Sequence, residues 1–279
     1  MGYLKTKMEK NKIYQGDCLE LMKQIEDTSV DLVVTSPPYD NLRDYKGYVF
    51  NFEAIAKELY RVTKEGGVVV WVVGDATING SETGTSFKQA LYFKKIGFNL
   101  HDTMIYEKTG FPFPMSNRYY QSFEYMFVFS KGKPKTTNLI KDRKNTYAGQ
   151  KVAREHGLRM ANGNVIENSA NKIDKDREIK EYGVRFNIWR IIKSSSKGDK
   201  IALKHPASFP EQLAKDHIKS WTNEGDLVLD PMCGSGTTCK MALLNNRDFI
   251  GIDISEDYCR IAKERLTKID GGKFFSSQP

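Results

Sequence analysis

Short apolar runs alternate with helical patterns at both ends of the chain. Buried strands are predicted where the apolar runs occur, at residues 12–17, 30–34, 68–73, 227–229 and 249–253. Helices are predicted where apolar residues recur every three to four positions, at 19–25, 52–62, 87–96, 210–221 and 239–244. Strands that alternate with helices predict an α/β fold with a mostly parallel sheet.

The sheet should be covered on both faces. The run at 68–73 is apolar at nearly every position, which is typical of a strand with helices above and below it. Residues 101–108 and 124–131 alternate between apolar and polar positions and predict two paired strands. Such a hairpin would give the sheet one antiparallel edge strand.

The run 30–34 ends in a motif, Thr35-Ser36-Pro37-Pro38-Tyr39. Neither proline has a backbone N–H, so strand pairing stops there and carbonyls are left free at the carboxyl end of the strand. Ligands of open α/β sheets bind at that edge. A hydroxyl, two rigid prolines and an aromatic ring suit a planar substrate with an exocyclic amine. For this motif alone, a plain Pro-Pro turn is the alternative.

The run 227–229 leads into a second motif, Asp230-Pro231-Met232-Cys233-Gly234-Ser235-Gly236-Thr237-Thr238. Its two glycines allow a tight turn and a close approach of backbone to a ligand. The sequence of a phosphate-binding loop is absent, and Cys239 stands where the dinucleotide fingerprint has its third glycine. Asp253 ends the next strand, a position where an acid commonly binds ribose hydroxyls. A nucleoside ligand without a pyrophosphate therefore fits better than NAD.

Together, the two motifs resemble those of DNA amino-methyltransferases that use S-adenosylmethionine. Their order resembles the permuted beta group of that family, over residues 1–130 and 201–279. The resemblance implies a doubly wound, Rossmann-like methyltransferase sheet that is circularly permuted. Residues 1–130 would form its catalytic half, and residues 201–279 its cofactor-binding half. Residues 131–200 would be an inserted target-recognition region.

The resemblance also implies a set of cofactor contacts. Asp17 matches the family acid that reaches the adenine, although a role as helix N-cap is the alternative. Residues 204–213 resemble the segment that lies against the methionine part, although their prolines also suit simple helix punctuation. The full set for S-adenosylmethionine, and for the product S-adenosylhomocysteine, is Asp17, Cys18, Ser36, Ser208, Phe209, Asp230, Met232, Cys233, Gly234, Ser235, Gly236, Thr237, Asp253 and Ile254.

The net charge of +8 is concentrated in one region. Residues 131–200 hold 18 Lys/Arg and 8 Asp/Glu, a net +10, whereas the rest holds 25 and 27, a net −2. Clustered cations neutralise phosphates, which predicts binding to double-stranded DNA; a solvated loop is the alternative. The predicted DNA contacts lie here and in two polar, aromatic loops, and they are Arg43, Tyr45, Lys46, Arg118, Tyr119, Lys141, Arg143, Lys144, Arg154 and Arg159.

The expected reaction is attack by an amine of the substrate, because no cysteine directly follows a proline as in carbon-5 cytosine methylation. Ser36, Pro37, Pro38 and Tyr39 are the predicted catalytic residues. Ser36 and the Pro37 carbonyl would accept the two N–H bonds, and Tyr39 would stack on a base flipped out of the duplex. Serine at the first motif position is frequent in cytosine-N4 enzymes of the family, and aspartate is usual in adenine-N6 enzymes. The sequence therefore favours cytosine N4, with adenine N6 as the alternative.

Several classes of protein are disfavoured. There is no apolar run long enough to cross a membrane, and residues 1–12 lack the apolar core of a secretion signal. The four cysteines and four histidines lack metal-ligand spacing, so we expect no metal and a cytoplasmic protein. A methyltransferase for RNA or protein amines and a non-catalytic DNA-binding module are the more distant alternatives. A cognate restriction endonuclease and a homodimer are both compatible with the sequence, which decides neither.

Overall fold

A computed structural model of the chain describes residues 8–38, 50–109, 117–151, 158–159, 165–166, 178–192 and 210–270. The strands, in chain order, are β1 Lys12–Gln15, β2 Val30–Thr35, β3 Thr63–Val73, β4 Thr77–Ile78, β5 Ser81–Glu82, β6 Asn99–Lys108, β7 Phe123–Ser130, β8 Arg143–Lys144, β9 Leu158–Arg159, β10 Val165–Ile166, β11 Tyr182–Gly183, β12 Ile188–Ile191, β13 Leu227–Asp230 and β14 Asp248–Asp253. The helices are α1 Cys18–Met22, α2 Phe52–Val62, α3 Thr85–Lys95, α4 Glu211–Trp221, α5 Thr237–Leu244 and α6 Glu256–Asp270. Of the helices in these ranges, none is long and apolar enough to cross a membrane.

Eight of these strands form one sheet in the order β1-β14-β13-β2-β3-β7-β6-β12. All neighbours from β1 to β3 are parallel, and β12 is parallel to β6. β7 runs antiparallel to both β3 and β6. The predicted α/β sheet, mostly parallel and with paired strands near residues 101–131, is confirmed.

The predicted antiparallel edge strand is wrong in its position. β7 lies inside the sheet, between β3 and β6, and β12 forms the edge. The outer side of β6 would otherwise present unpaired N–H and C=O groups, and β12 pairs with them, for example through Ile188 and Ile105. Alternation within residues 101–131 predicts the hairpin itself. It carries no information about a third strand from a distant part of the chain.

Helices cover both faces of the sheet, as the continuous apolar run in β3 predicted. Val69, Trp71 and Val73 pack with α1, α2 and α3. Their neighbours Val68, Val70 and Val72 pack with α4, α5 and α6. We refer to these two sides as the α1–α3 face and the α4–α6 face. A strand buried on both faces cannot carry the polar alternation of a half-exposed one.

The chain separates into two compact units. The first contains Met1–Asn138 and Asn187–Pro279, and the second contains Leu139–Phe186. The second unit holds two antiparallel pairs of two-residue strands, β8 with β11 and β9 with β10. The predicted insertion at 131–200 is therefore longer than the second unit. Residues 131–138 and 187–200 belong to the first unit, in which β12 pairs with β6 of the large sheet. Its role in target recognition stays a prediction.

Candidate active site

The carboxyl ends of four parallel strands carry the predicted site residues. Asp17 follows β1, Ser36 follows β2, and Asp230 and Asp253 end β13 and β14. Because these strands are parallel neighbours, the four residues share one edge of the sheet. The two sequence motifs lie nearly 200 residues apart in the chain, yet they end adjacent strands.

The stretch Gly234–Gly236, here called the glycine turn, connects β13 to α5. Gly234 and Gly236 have φ angles of 50° and 77°, in the left-handed region that glycine tolerates best. The Gly236 N–H donates to the Cys233 carbonyl at 2.7 Å, which closes the turn. Gly236 is also the N-cap of α5 and offers no side-chain cap to that helix. The first amides of a helix in this position are suitable donors to a bound ligand.

Asp253 shapes the glycine turn directly. Its Oδ2 accepts the Gly234 N–H at 2.7 Å, and its Oδ1 accepts the Ser255 N–H at 2.9 Å. Burial raises the pKa of this carboxyl. Each carboxylate oxygen retains a further acceptor site after one hydrogen bond. The predicted contact with ribose hydroxyls is therefore compatible with these bonds and stays a prediction.

Asp230 joins the end of β2 to the segment that leads into the glycine turn. Its Oδ1 accepts the Thr35 hydroxyl at 2.8 Å and the Met232 N–H at 3.2 Å. Thr238 of α5 donates its hydroxyl to the Val34 carbonyl at 3.0 Å, so β2 is also bonded to the helix that follows the glycine turn. The carboxyl is only 2% exposed, and burial raises the pKa of Asp230 to about 7. These bonds fix the position of β2, and hence of Ser36, relative to β13.

Asp17 caps α1. Its Oδ1 accepts the Leu19 N–H at 2.8 Å, so the N-cap alternative is confirmed. The second role, contact with an adenine, stays a prediction. Cys18 is buried next to it. Gly16 donates its N–H to the Asp253 carbonyl at 2.9 Å, which brings the end of β1 against the end of β14.

The remaining residues of the second motif that the sequence predicts to bind the cofactor differ in exposure. Cys233, Ser235 and Thr237 are buried, Met232 is half-buried, and Ile254 is exposed. A hydrogen bond with Cys239, together with burial, raises the pKa of the Cys233 thiol. Cys233 is thus a neutral thiol near neutral pH rather than a reactive thiolate.

The predicted catalytic motif is described as far as Pro38. Ser36 is half-buried, Pro37 is buried and Pro38 is half-buried at the end of β2. Several predicted side chains lie outside the described residues: those of Tyr39, Arg43, Tyr45, Lys46, Arg154, Arg159, Ser208 and Phe209. For Arg159 the backbone is described, as part of β9.

Predicted DNA contacts in the first unit lie near the carboxyl edge. Tyr119 is fully exposed. Arg118 donates to the Gly80 carbonyl at the tip of the β4–β5 hairpin, and its guanidinium lies 4.0 Å from the Glu82 carboxylate. The guanidinium of Arg118 is therefore anchored to the hairpin, and Tyr119 beside it projects into solvent.

Predicted DNA contacts in the second unit fall into two kinds. Lys141 and Lys144 are exposed. Arg143 packs its guanidinium 4.8 Å from the centre of the Phe186 ring and donates to the Val184 carbonyl at 3.0 Å. Arg143 thus supports the unit itself, whereas the two lysines present their charge to solvent.

Part of the basic excess lies at the opposite edge of the sheet. Lys131, Lys133 and Lys135 follow β7, whose last residue Ser130 pairs with Val68, an early apolar residue of β3. Lys131 donates to the carbonyls of Tyr60 and Thr63. These three lysines contribute to the net charge of +10 of residues 131–200, but they lie at the edge of the sheet opposite Ser36.

Arg265 contacts the glycine turn and is absent from the residues that the sequence predicts for the site. It is 3% exposed, and its guanidinium donates to Ser235 and Thr237 around the glycine turn and to Glu211 of α4. One signal was present in the sequence, because Arg265 falls on the apolar side of α6 with Ile261 and Ala262. A charge at such a position indicates a buried partner.

No group of three or more His, Cys, Asp and Glu in the described ranges has the arrangement of a metal site.

The profile of the DNA methylase family, which spans N6 and N4 enzymes, matches residues 30–264. Orphan methyltransferase M.BamHII of Bacillus amyloliquefaciens is 63% identical over 249 residues, which cover 88% of this chain and 92% of that protein.

Two solved structures show the same fold. PvuII DNA methyltransferase (cytosine-N4-specific) matches with a TM-score of 0.68 and 21% identity, covering 96% of this chain and 94% of that one. The M1.HpyAVI–SAM complex matches with a TM-score of 0.60 and 22% identity, covering 91% and 98%. The Rossmann-like methyltransferase architecture expected from the sequence is therefore confirmed.

Proposed function

The chain belongs to the N6/N4 DNA methylase family, and from that premise we propose that it methylates the exocyclic amine of a base in double-stranded DNA with S-adenosylmethionine. One observation carries the proposal. Ser36 follows β2 beside β13, and the Thr35 hydroxyl donates to Asp230, which ends β13 four residues before the glycine turn. The residues for an amine substrate and those for a nucleoside ligand thus meet at one edge of the sheet.

The glycine turn, Asp253 and Asp17 are the proposed cofactor site. The turn presents backbone amides at the start of α5, and the two acids lie at the ends of β14 and β1. Gln15 and Asp253 pair directly across these strands, so one nucleoside can span both acids. S-adenosylmethionine supplies an electrophilic methyl group when it is bound there, and transfer leaves S-adenosylhomocysteine. No metal is needed for this chemistry.

Ser36 and Pro37 act on the amine. The lone pair of an exocyclic nitrogen is delocalised into the ring, which makes the nitrogen a poor nucleophile. Two acceptors, the Ser36 hydroxyl and the Pro37 carbonyl, draw both N–H bonds away from the ring plane and localise the lone pair. Their contribution is positioning and electrostatics. Ser36 is too weak a base to remove the proton first, so the proton leaves to solvent after transfer.

The proposed target is cytosine N4, with adenine N6 as the second candidate. Ser36 supports this choice of base, because a neutral hydroxyl at this position is frequent in cytosine-N4 members of the family. The target amine is enclosed in the duplex, so the base must be flipped out before it reaches Ser36. The order of the two motifs supports membership of the permuted beta group.

The second unit and the exposed side chains near the carboxyl edge are the proposed DNA-contacting parts. In the second unit, Lys141 and Lys144 present their charges to solvent. In the first unit, Tyr119 presents an exposed aromatic ring. Leu139–Phe186 holds 11 Lys/Arg and 7 Asp/Glu, a net +4. The relative M.BamHII is named an orphan methyltransferase, which favours a modification enzyme that acts without a dedicated nuclease. A DNA substrate and four cysteine thiols suit the cytoplasm.

The decisive experiment is to replace Ser36 by alanine. Ser36→Ala leaves one amine hydrogen without its acceptor, and we expect kcat to fall by a factor of about 10²–10³, as for loss of one transition-state hydrogen bond. Binding of S-adenosylmethionine, measured by calorimetry, should stay close to that of the original protein. Equal losses in kcat and in cofactor affinity would mean that Ser36 supports the pocket and not the chemistry.

Ser29→Ala is the matched control. Ser29 precedes the same strand at its other end and donates to the Glu26 carbonyl, so this variant makes the same chemical change far from the site. The methylated product identifies the base: DNA labelled with a radioactive methyl group is digested to nucleosides and separated. Label in N4-methyl-2′-deoxycytidine is expected. Label in N6-methyl-2′-deoxyadenosine would reverse the choice of base, and label only in 5-methyl-2′-deoxycytidine would overturn the mechanism.

A further inference from the structure

Arg265 is a buried cation on α6. Its side chain is 2% exposed, and its neighbours on the helix include the buried residues Ile261, Ala262 and Leu266. Burying a guanidinium is costly unless its donors are satisfied and its charge is paired. Its position in the core therefore requires specific partners, and those partners belong to the proposed cofactor site.

The guanidinium bridges two elements. Nη1 donates to the Ser235 carbonyl, to the Ser235 hydroxyl at 3.1 Å and to the Thr237 hydroxyl at 3.3 Å. Nη2 donates to Oε1 of Glu211 at 2.9 Å. Glu211 is the first residue of α4, so the planar fork of Arg265 ties the glycine turn to the start of that helix.

A second contact holds α6 against the same turn. A Cβ placed on Gly236 would come within 2.8 Å of the Ala262 Cβ, so backbone and helix are in close contact there. Ala262 and Arg265 lie about one helical turn apart. Helix α6 thus supports the glycine turn at two successive points, by packing at Gly236 and by hydrogen bonds at Ser235.

The orientation of the Ser235 carbonyl matters for ligand binding. A carbonyl and the following N–H lie in one rigid peptide plane. By holding the Ser235 carbonyl, Arg265 also fixes the direction of the Gly236 N–H, which donates to Cys233. Asp253 fixes the other end of the turn through the Gly234 N–H. The turn is therefore constrained from both ends before a ligand arrives, which lowers the cost of ordering it on binding.

We propose that Arg265 is a positioning residue for cofactor binding. It sets the conformation of the glycine turn and, through Glu211, the position of α4 relative to that turn. The proposal rests on the assignment of the turn to S-adenosylmethionine. If Arg265 served stability alone, its loss would lower the melting temperature and leave the cofactor affinity of the folded protein unchanged.

The test uses the full chain and five variants, four of them at basic residues and the fifth at Asp253. Arg265→Met removes the fork, and Arg265→Lys keeps the charge but only one point of attachment. Arg260→Met is the matched control, because Arg260 is an exposed arginine on the same helix, paired with Asp257 at 3.0 Å. Lys240→Met removes a second cation that contacts Glu211, at 2.7 Å, among the described residues, and so distinguishes loss of the Glu211 ion pair from loss of the bonds to the turn.

Cofactor affinity is measured by calorimetry with S-adenosylmethionine well below each melting temperature. We expect Kd to rise about tenfold or more for Arg265→Met, equivalent to about 1.4 kcal/mol, and by a smaller factor for Arg265→Lys. KM for the cofactor should rise in parallel, with kcat at saturating cofactor near that of the original enzyme. Arg260→Met should stay within about twofold of the original Kd.

A second readout keeps the proposal testable if Arg265→Met does not fold. Hydrogen exchange of the backbone amides at 234–239 should be faster in Arg265→Lys than in the original protein, with exchange in β3 unchanged. Unchanged Kd and unchanged exchange in folded Arg265→Lys would overturn the proposal. An equal effect of Lys240→Met would also overturn it, because the cluster around Glu211 would then matter and not the bond to the turn.

Asp253→Ala distinguishes a wrong role for Arg265 from a wrong assignment of the cofactor site. If Asp253→Ala weakens S-adenosylmethionine binding and both Arg265 variants leave it unchanged, the site stands and the role of Arg265 is wrong. If Asp253→Ala also leaves the affinity of the folded protein unchanged, the assignment of the glycine turn itself is wrong.

Discussion

The two faces of the central sheet are built from different side chains. On the α1–α3 face, Phe93 lies against Phe52, Trp71, Phe98 and Phe129, with ring centres 4.5–5.6 Å apart. On the α4–α6 face, buried polar and charged groups accompany the apolar ones, among them Asp216, His217, Ser220 and Arg265. The α1–α3 face is dominated by aromatic burial and has its own buried hydrogen bond, from Trp71 to Gln89 at 2.8 Å, whereas the α4–α6 face also buries a guanidinium and an imidazole.

The difference follows from what each face supports. α5 and α6 flank the glycine turn, and α4 reaches it through Glu211 and Arg265. Positioning a turn requires directional bonds, which an aromatic cluster does not supply, because apolar attraction has no preferred direction. We therefore expect substitutions on the α1–α3 face to change mainly stability, and substitutions on the α4–α6 face to change the geometry of the site as well.

The largest effect should come from the aromatic face. Phe93→Ala removes a fully buried ring and should lower the free energy of unfolding by about 3–5 kcal/mol, because it loses apolar burial and leaves a cavity. Chemical denaturation measures this change. Calorimetry on the folded variant should give an affinity for S-adenosylmethionine near the original value, since the lost contacts lie on the other side of the sheet from α4–α6.

Phe87→Ala is the control on the same helix. Phe87 is 49% exposed, so the same substitution should cost much less than at Phe93. A large loss of cofactor affinity in folded Phe93→Ala would break the comparison, because it would show that the aromatic face also sets the geometry of the site.

A smaller, pH-dependent effect should come from Asp230 on the other face. Burial raises its pKa to about 7, so the folded state holds this proton more tightly than the unfolded chain does. Stability from this group is therefore greatest below the unfolded pKa, about 4, and is lost as the pH rises to about 7. Asp230→Asn removes the titration. Relative to the original protein, its free energy of unfolding should gain about 1–3 kcal/mol between pH 4.5 and 7.5.

Any effect of the new amide that does not depend on pH cancels when the free energies of unfolding at the two pH values are subtracted. Asp226→Asn is the control, because Asp226 lies next to the other end of β13, where its carboxylate accepts the Asn223 N–H at 2.7 Å. If the stability curves of Asp230→Asn and the original protein run parallel, Asp230 does not titrate in this range and the polar network is held differently.

The smallest effect should come from His217 on acidification. Burial lowers the pKa of His217 to about 3, and its Nδ1 accepts the Trp221 indole N–H at 3.3 Å. Because the folded pKa is depressed, the stability from this group is present above the unfolded pKa of about 6.5 and is lost as the pH falls towards 3. His217→Gln should therefore reduce the loss of stability between pH 7 and pH 5 by about 1–2 kcal/mol.

His101→Gln makes the same change at an exposed histidine whose ring lies 5.4 Å from that of Trp221. It should leave the acid profile unchanged. If both variants reduced the loss of stability between pH 7 and pH 5 equally, the acid sensitivity would come from the surroundings of Trp221 and not from burial of His217.

Features that the sequence predicted are local ones. Two prolines after β2, glycines after β13 and acids at strand ends act through their own backbone, so they can be recognised without knowing the neighbours. The position of β12 and the bond from Arg265 to Ser235 depend on pairing between distant segments. A pattern within one helix shows that Arg265 is unusual, but it does not show which turn that residue holds. The parallel α/β sheet was predictable because both kinds of element have their own period.

The pairing of β2 with β13 has a consequence for synthesis in the cell. Val33 lies beside Leu229, so the strand that carries Ser36 leaves the ribosome almost 200 residues before its neighbour. At about 5–20 residues per second, that interval lasts roughly 10–40 s. During this time one edge of β2 has no partner, and the buried hydroxyl of Thr35 has no carboxylate to bond. The nascent chain must therefore be kept from aggregating, and the enzyme can become active only after translation has reached β14.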